Sequence, residues 1–238
     1  RFPSDPIAQE LILAAGGYVA APSANTSGRP SPTTAGHVAE DLGEAIDMII
    51  DGGQVNIGLE STIVDFTEEV PVVLRPGYIS LEMLRETLGD VRMDKGLIKP
   101  DSKVHPKAPG MKYRHYAPKA DLAIVEGPDE RVIAEIEKRA LEAEKNGDTV
   151  GIIATDETKD RYSHGIIKSI GSREQEETIA HHLYEVLRDF DSCNVSAIYS
   201  EAFFTPKMGQ AIMNRLLKAA GHKIINVEEE KENDSTGM

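Results

Sequence analysis

The chain has 238 residues, 40% of them hydrophobic and 28% charged, with 20 Gly, 13 Pro and a formal net charge of −14. That is enough apolar material for one or two packed domains, and we expect two. The acidic balance works against tight non-specific binding to nucleic acid, which needs clustered Lys and Arg.

Apolar stretches such as 7–21 are broken by Gln9, Glu10, Gly16 and Gly17, short of the roughly 20 apolar residues a membrane helix needs. The single cysteine, Cys193, excludes an internal disulfide and fits a reducing, cytoplasmic setting. No secretory signal is visible, and the first residue is Arg1.

In chain order, DPIAQELILAA predicts a helix over 5–15, with Asp5 as N-cap, Pro6 at the first helical position and a Gly16-Gly17 stop. YVAAP (18–22) predicts a short buried strand that runs into the loop PSANTSGRPSPTTA. Thr33 or Thr34 can cap a second helix reaching about Leu42, and DMIIDGG predicts another short strand. STIVDF (61–66) and PVVLRPG (71–77), separated by a polar turn, predict an antiparallel hairpin, and SLEMLRETLG predicts a helix between a Ser cap and a Gly stop. From about Arg92 to Lys119 periodicity is lost. KPDSKVHPKAPGMKYRHYAPKA, with four prolines, reads as a linker whose two Tyr and two His should pack on something. Beyond Ala120, LAIV, TVGIIAT, GIIKSI and VSAIYS alternate with helical stretches over about 129–145 and 174–190. AIMNRLLKAAG and KIINV close the chain. Such alternation predicts a mostly parallel sheet covered by helices. EEEKEND near the end reads as a solvated tail.

Candidate chemistry gathers in the first third. The 22–32 loop offers hydroxyls, an amide and close-approaching backbone N–H groups from Ser23, Asn25, Thr26, Ser27, Gly28 and Ser31, which suits an anion such as phosphate. The same residues also make an ordinary turn-rich surface loop. It matches neither GxxxxGK[ST] nor GxGxxG. Ser61, with Glu60 and Thr62, stands at a strand start where its hydroxyl can bond a small polar ligand or simply open the strand. Arg75 in LRPG can clamp phosphate or carboxylate bidentately, or form a surface ion pair. His115, flanked by Tyr113, Arg114 and Tyr116, suits a lid that folds over a nucleotide. His181 and His182 are adjacent on a predicted helix and make a poor metal pair. Zinc-protease, CxxC, hydrolase-elbow and EF-hand patterns do not occur.

The series PSANTSGRPSPTTAGHV, IIDGG, LESTIVDF, VLRPG and GMKYRHYAP, in this order and spacing, resembles the two-domain threonylcarbamoyl-AMP synthase family, and AIMNRLLKAAG resembles its C-terminal signature. The resemblance implies a partial YrdC-like twisted α/β sheet domain at 1–91, an interdomain linker or lid at 92–119, a smaller Rossmann-like α/β domain with a mostly parallel sheet at 120–230, and an acidic tail at 231–238. It implies an enzyme that joins L-threonine, bicarbonate and ATP into threonylcarbamoyl-AMP and pyrophosphate. Mg2+ would accompany the phosphates, and the product would pass to a tRNA threonylcarbamoyl transferase complex.

Carried over by position, the resemblance implies ATP contacts from Ser23, Asn25, Ser31, Arg75, Tyr113 and His115, and threonine contacts from Arg1, Ala21 and Ser61. It gives the protein neither a nucleophile nor a metal ligand. It also implies that an upstream part of the catalytic domain, with a Lys and Arg motif for the triphosphate, is not in this sequence. Two rivals are weighed against it. A carbamoyl-adenylate-forming maturation factor would carry cysteine-rich zinc modules. A YrdC-like RNA-binding or ribosome-associated module would need a basic surface, where 1–90 is acidic overall.

Overall fold

A computed structural model describes residues 3–94, 97 and 115–227. The first unit contains helices α1 (Pro6–Ala14), α2 (Ala35–Leu42) and α3 (Leu81–Leu88), with strands β1 (Ile63–Asp65), β2 (Val72–Arg75) and β3 (Arg92–Met93). The second contains β4 (Asp121–Glu126), α4 (Asp129–Lys145), β5 (Val150–Ala154), β6 (Ile166–Ser169), α5 (Glu176–Phe190), β7 (Ala197–Glu201), α6 (Gly209–Ala219) and β8 (Ile224–Asn226).

Local chemistry sets the helix starts of the first unit. The Asp5, Thr34 and Ser80 side chains each accept a hydrogen bond from a first-turn amide, at Ala8, His37 and Met83 respectively. β1 and β2 form the expected antiparallel hairpin. β3 then lies parallel to β2, pairing Val72 with Arg92 and Val73 with Met93, so the stretch read as the start of a linker contributes a strand. Two residues are too few to show a period, which is why no strand signal is legible there.

Two expected strands do not form. Residues 18–22 and 47–51 have no strand assignment, and Tyr18, Met48 and Ile50 are 87%, 76% and 51% exposed. A strand needs a hydrogen-bonding neighbour, and the described residues offer these segments none.

The second unit is a five-stranded sheet in the order β6-β5-β7-β4-β8, with every pairing parallel, as the α/β alternation predicted. Its two apolar clusters share out the helices. One centres on α5 and α6 with Leu183, Leu187, Ile212 and Leu216, and the other on α4 with Ile136 and Ala140. Among the described residues no helix is long and apolar enough to cross a membrane.

Candidate active site at the seam between the two units

The 22–35 loop is fastened to α5 by charge. Arg188 is buried and donates from Nη1 and Nη2 to the two carboxylate oxygens of Asp41, at 3.1 and 2.8 Å, and from Nη2 to Pro30 O at 2.6 Å. Arg29 bonds the same Asp41 carboxylate and reaches Asp191 at 3.1 Å. Burial alone raises the pKa of Asp41, but the Arg188 hydrogen bonds and charge, with Arg29, bring it below the usual carboxylate range. The end of the linker joins this cluster, because Lys119 N donates to Asp191 and Ala117 N donates to Gly28 O.

Within the loop, Asn25 Nδ2 donates to Thr26 O at 2.8 Å, while its Oδ1 is buried with no hydrogen-bond partner among the described residues. Ser23 and Ala21 are exposed. Ser31 donates to Glu60 Oε1 at 2.7 Å, within the first unit.

Glu60 is the centre of the seam. Its Oε2 accepts from Tyr184 Oη at 2.8 Å on α5 and from Arg215 Nε at 3.1 Å on α6. Burial pushes its pKa up, but the Arg215 charge and the Ser31 and Tyr184 hydrogen bonds outweigh this and hold Glu60 ionised. Arg215 also donates to Pro76 O and, at 3.2 Å, to Glu60 O.

Arg75, at the end of β2, is buried rather than on the surface. Its Nε and Nη2 both donate to Ser61 O, at 3.2 and 3.0 Å. The two strand ends come this close because Gly77 has no side chain. A Cβ there would collide with Thr62 N and Glu60 O. Gly58 serves the same purpose against the α5 backbone at Ala180 and His181, where φ is also +78°.

The described end of the linker, residues 115–119, packs on the seam. Tyr116 is buried, with its ring centroid 5.1 Å from that of Tyr184, and it holds φ at +64°, a left-handed conformation costly for a bulky residue. His115 lies beside it, with ring centroids 5.8 Å apart. Lys218 lies on the same buried face of α6 as Arg215. Burial, with Arg215 and Arg75 nearby, pulls its pKa down to about 8.

The structure therefore brings Ser31, Ser61, Arg75 and His115 toward one seam, with Asn25 in the loop fastened beside it. Arg1 and Tyr113 lie outside the described residues. His181 sits at the seam's edge, its Nδ1 2.9 Å from Asn56 O, in a packing role. Sequence reasoning missed Asp41, Tyr184, Arg188, Arg215 and Lys218. Arg215 carried a signal, since it falls in the apolar stripe 212, 215, 216, 219 of α6, where a charged residue demands a buried partner.

This is an α/β protein of two units, with its polar groups concentrated where the 22–35 loop and the Arg75 strand end meet a parallel-sheet domain. Residues 79–221 match the family model described as Threonylcarbamoyl-AMP synthase, C-terminal domain, and residues 1–77 match one described as Telomere recombination. The chain belongs to the threonylcarbamoyl-AMP synthase family. It is 47% identical over 225 residues to the threonylcarbamoyl-AMP synthase of Bacillus subtilis (strain 168), covering 94% of this chain and 63% of that protein. The Pyrococcus abyssi (strain GE5 / Orsay) protein of the same name is 43% identical over 227 residues, with 95% and 65% covered.

The crystal structure of P. abyssi Sua5 complexed with L-threonine superposes with a TM-score of 0.85 at 41% identity, over 95% of this chain and 65% of that one. A doubly substituted P. abyssi Sua5 gives 0.87 at 40% identity, over 97% and 64%. The chain thus spans a little under two thirds of the length of these relatives.

Proposed function

We propose that the protein is an L-threonylcarbamoyladenylate synthase, a nucleotidyltransferase that works in the cytoplasm on L-threonine, bicarbonate and ATP. The observation that carries this reading is the Arg75–Ser61 junction. One guanidinium at a strand end is bonded to the backbone of the residue beside it, so the group proposed to hold phosphate is tied to the group proposed to hold the amino acid. The P. abyssi neighbour with L-threonine bound supports an amino-acid site in this fold.

In the proposed reaction the threonine amine attacks the bicarbonate carbon, a C–O bond breaks and water leaves, giving a carbamate. A carbamate oxygen then attacks the α-phosphorus of ATP, the bond from that phosphorus to the bridging oxygen breaks, and pyrophosphate leaves. Carbamate and triphosphate are both anionic, so the protein's work is to neutralise and align them rather than to supply a nucleophile. Arg75 and the serines and amide of the 22–32 loop, Ser23, Asn25 and Ser31, would contact the nucleotide. The Oδ1 of Asn25, without a partner among the described residues, is an acceptor suited to a ligand donor. Ala21, Ser61 and Arg1 would form the threonine side, and Tyr113 and His115 would close over the nucleotide.

Among the described residues no group of three His, Cys, Asp or Glu could hold a metal ion. Mg2+ is proposed to accompany the nucleotide, where it would help neutralise the phosphate charge. Transfer to tRNA is assigned to a separate transferase complex, which agrees with the net charge of −14.

The test is isothermal titration with ATP and magnesium, with and without L-threonine, beside Arg75→Ala. Nucleotide binding that tightens with threonine and weakens about tenfold or more in the variant, the loss expected for one charged hydrogen-bonding group, is the expected outcome. A folded chain whose nucleotide binding ignores both threonine and Arg75 would contradict the reading.

A further inference from the structure

The seam's largest side chain belongs to neither ligand set. Arg215 comes from α6, in the second unit, yet all of its hydrogen bonds described above end on two short segments of the first. Nε donates to the Glu60 carboxylate at 3.1 Å, Nη2 to Glu60 O at 3.2 Å, and Nη1 to Pro76 O. Glu60 directly precedes Ser61, and Pro76 directly follows Arg75. Arg75 itself donates twice to Ser61 O, so the two segments are bridged on one side by Arg75 and on the other by Arg215. The Arg215 side chain is fully buried and its charge faces Glu60. Burying a cation this way is costly unless several acceptors meet it, and these acceptors are the backbone and side chain that flank the proposed ligand residues.

We propose that Arg215 is a positioning residue. From the second unit it sets the separation of the Glu60–Ser61 and Arg75–Pro76 segments, and so couples the threonine subsite to the nucleotide subsite. This rests on the synthase reading above, which gives Ser61 and Arg75 their ligands. A planar guanidinium can meet three acceptors at fixed angles, whereas a lysine ammonium is a single mobile point and a methionine has no donors. Charge alone would be served by lysine; registration of two backbone segments would not.

The experiment compares wild type, Arg215→Lys and Arg215→Met by thermal unfolding, by amide hydrogen exchange, and by titration of ATP and magnesium with and without L-threonine. Loss of the anchoring bonds is expected to speed exchange about tenfold in 59–62 and 75–78, while 150–154 and 197–201 stay as slow as in wild type. The factor by which threonine tightens ATP binding is expected to fall toward one in both variants.

Unchanged exchange in the two segments overturns the proposal, as does wild-type coupling in Arg215→Lys. Exchange that rises equally through the second unit's sheet also overturns it, by making Arg215 a general brace. If the wild type binds neither ligand, the synthase reading fails for this chain. The exchange comparison alone then decides whether Arg215 registers the two segments.

Discussion

TVGIIAT and DMIID are similar as sequence, each a short β-rich run between polar turns, yet they end in opposite states. Val150–Ala154 lies between β6 and β7 and is buried along its length. Residues 47–51 form no strand, and Met48 and Ile50 face solvent. Hydrophobic pattern marks a segment that can be a strand, but a strand is a property of the pair. The second unit closes its own hydrogen bonds and core. The first unit, within the described residues, draws much of its order from the seam, through Asp41 on Arg188, Glu60 on Arg215 and Gly58 on α5.

The contrast predicts unequal responses to substitution. The largest is expected at Leu183, which is fully buried in the α5–α6 cluster. Leu183→Ala should cost about 2–5 kcal/mol in urea unfolding, the usual range for a leucine cavity. A loss below about 1 kcal/mol would mean that the second unit is not the tight core described.

Lys218→Met should act in the other direction. Because its folded pKa of about 8 lies below the ordinary lysine value of 10.5, protonated Lys218 is disfavoured by folding, and the unfolded chain binds more protons between those two values. Wild-type stability should therefore gain from this residue as pH rises from about 8 toward 10.5, and the penalty should be present in full below pH 8. Methionine should relieve it, adding roughly 1–3 kcal/mol at pH 7 and flattening that part of the pH profile. Denaturant midpoints at pH 7 and 9.5 for both proteins check the sign.

The smallest effect is expected at Leu13, which is 73% exposed on α1. Leu13→Ala should change stability by less than about 0.5 kcal/mol, and a larger loss would show that this face is packed in solution.

What was legible in the sequence follows from how local each signal is. The first unit's helices were bounded by caps and stops that act within four residues, such as Ser80 on Met83 and Gly89 after Leu88. The second unit's strands and helices were legible because their alternation has one compact solution. The 22–32 loop, Ser61 and Arg75 could be singled out as candidates, since strand ends and turn residues announce themselves. The pairing of Glu60 with Arg215 was not, because 155 residues separate them and neither carries a local mark of the other. The two-residue strand at Arg92 and the fate of YVAAP were hidden for a related reason, as both depend on what lies alongside.

The central claim is that one site is built across both units. Hydrogen exchange of the intact chain, with and without ATP, magnesium and L-threonine together, tests it most directly. Bound ligands are predicted to slow exchange in both units at once, at 59–62 and 72–77 in the first and along α5 and α6 in the second. Slowing confined to one unit, or none, would contradict a site that spans the seam.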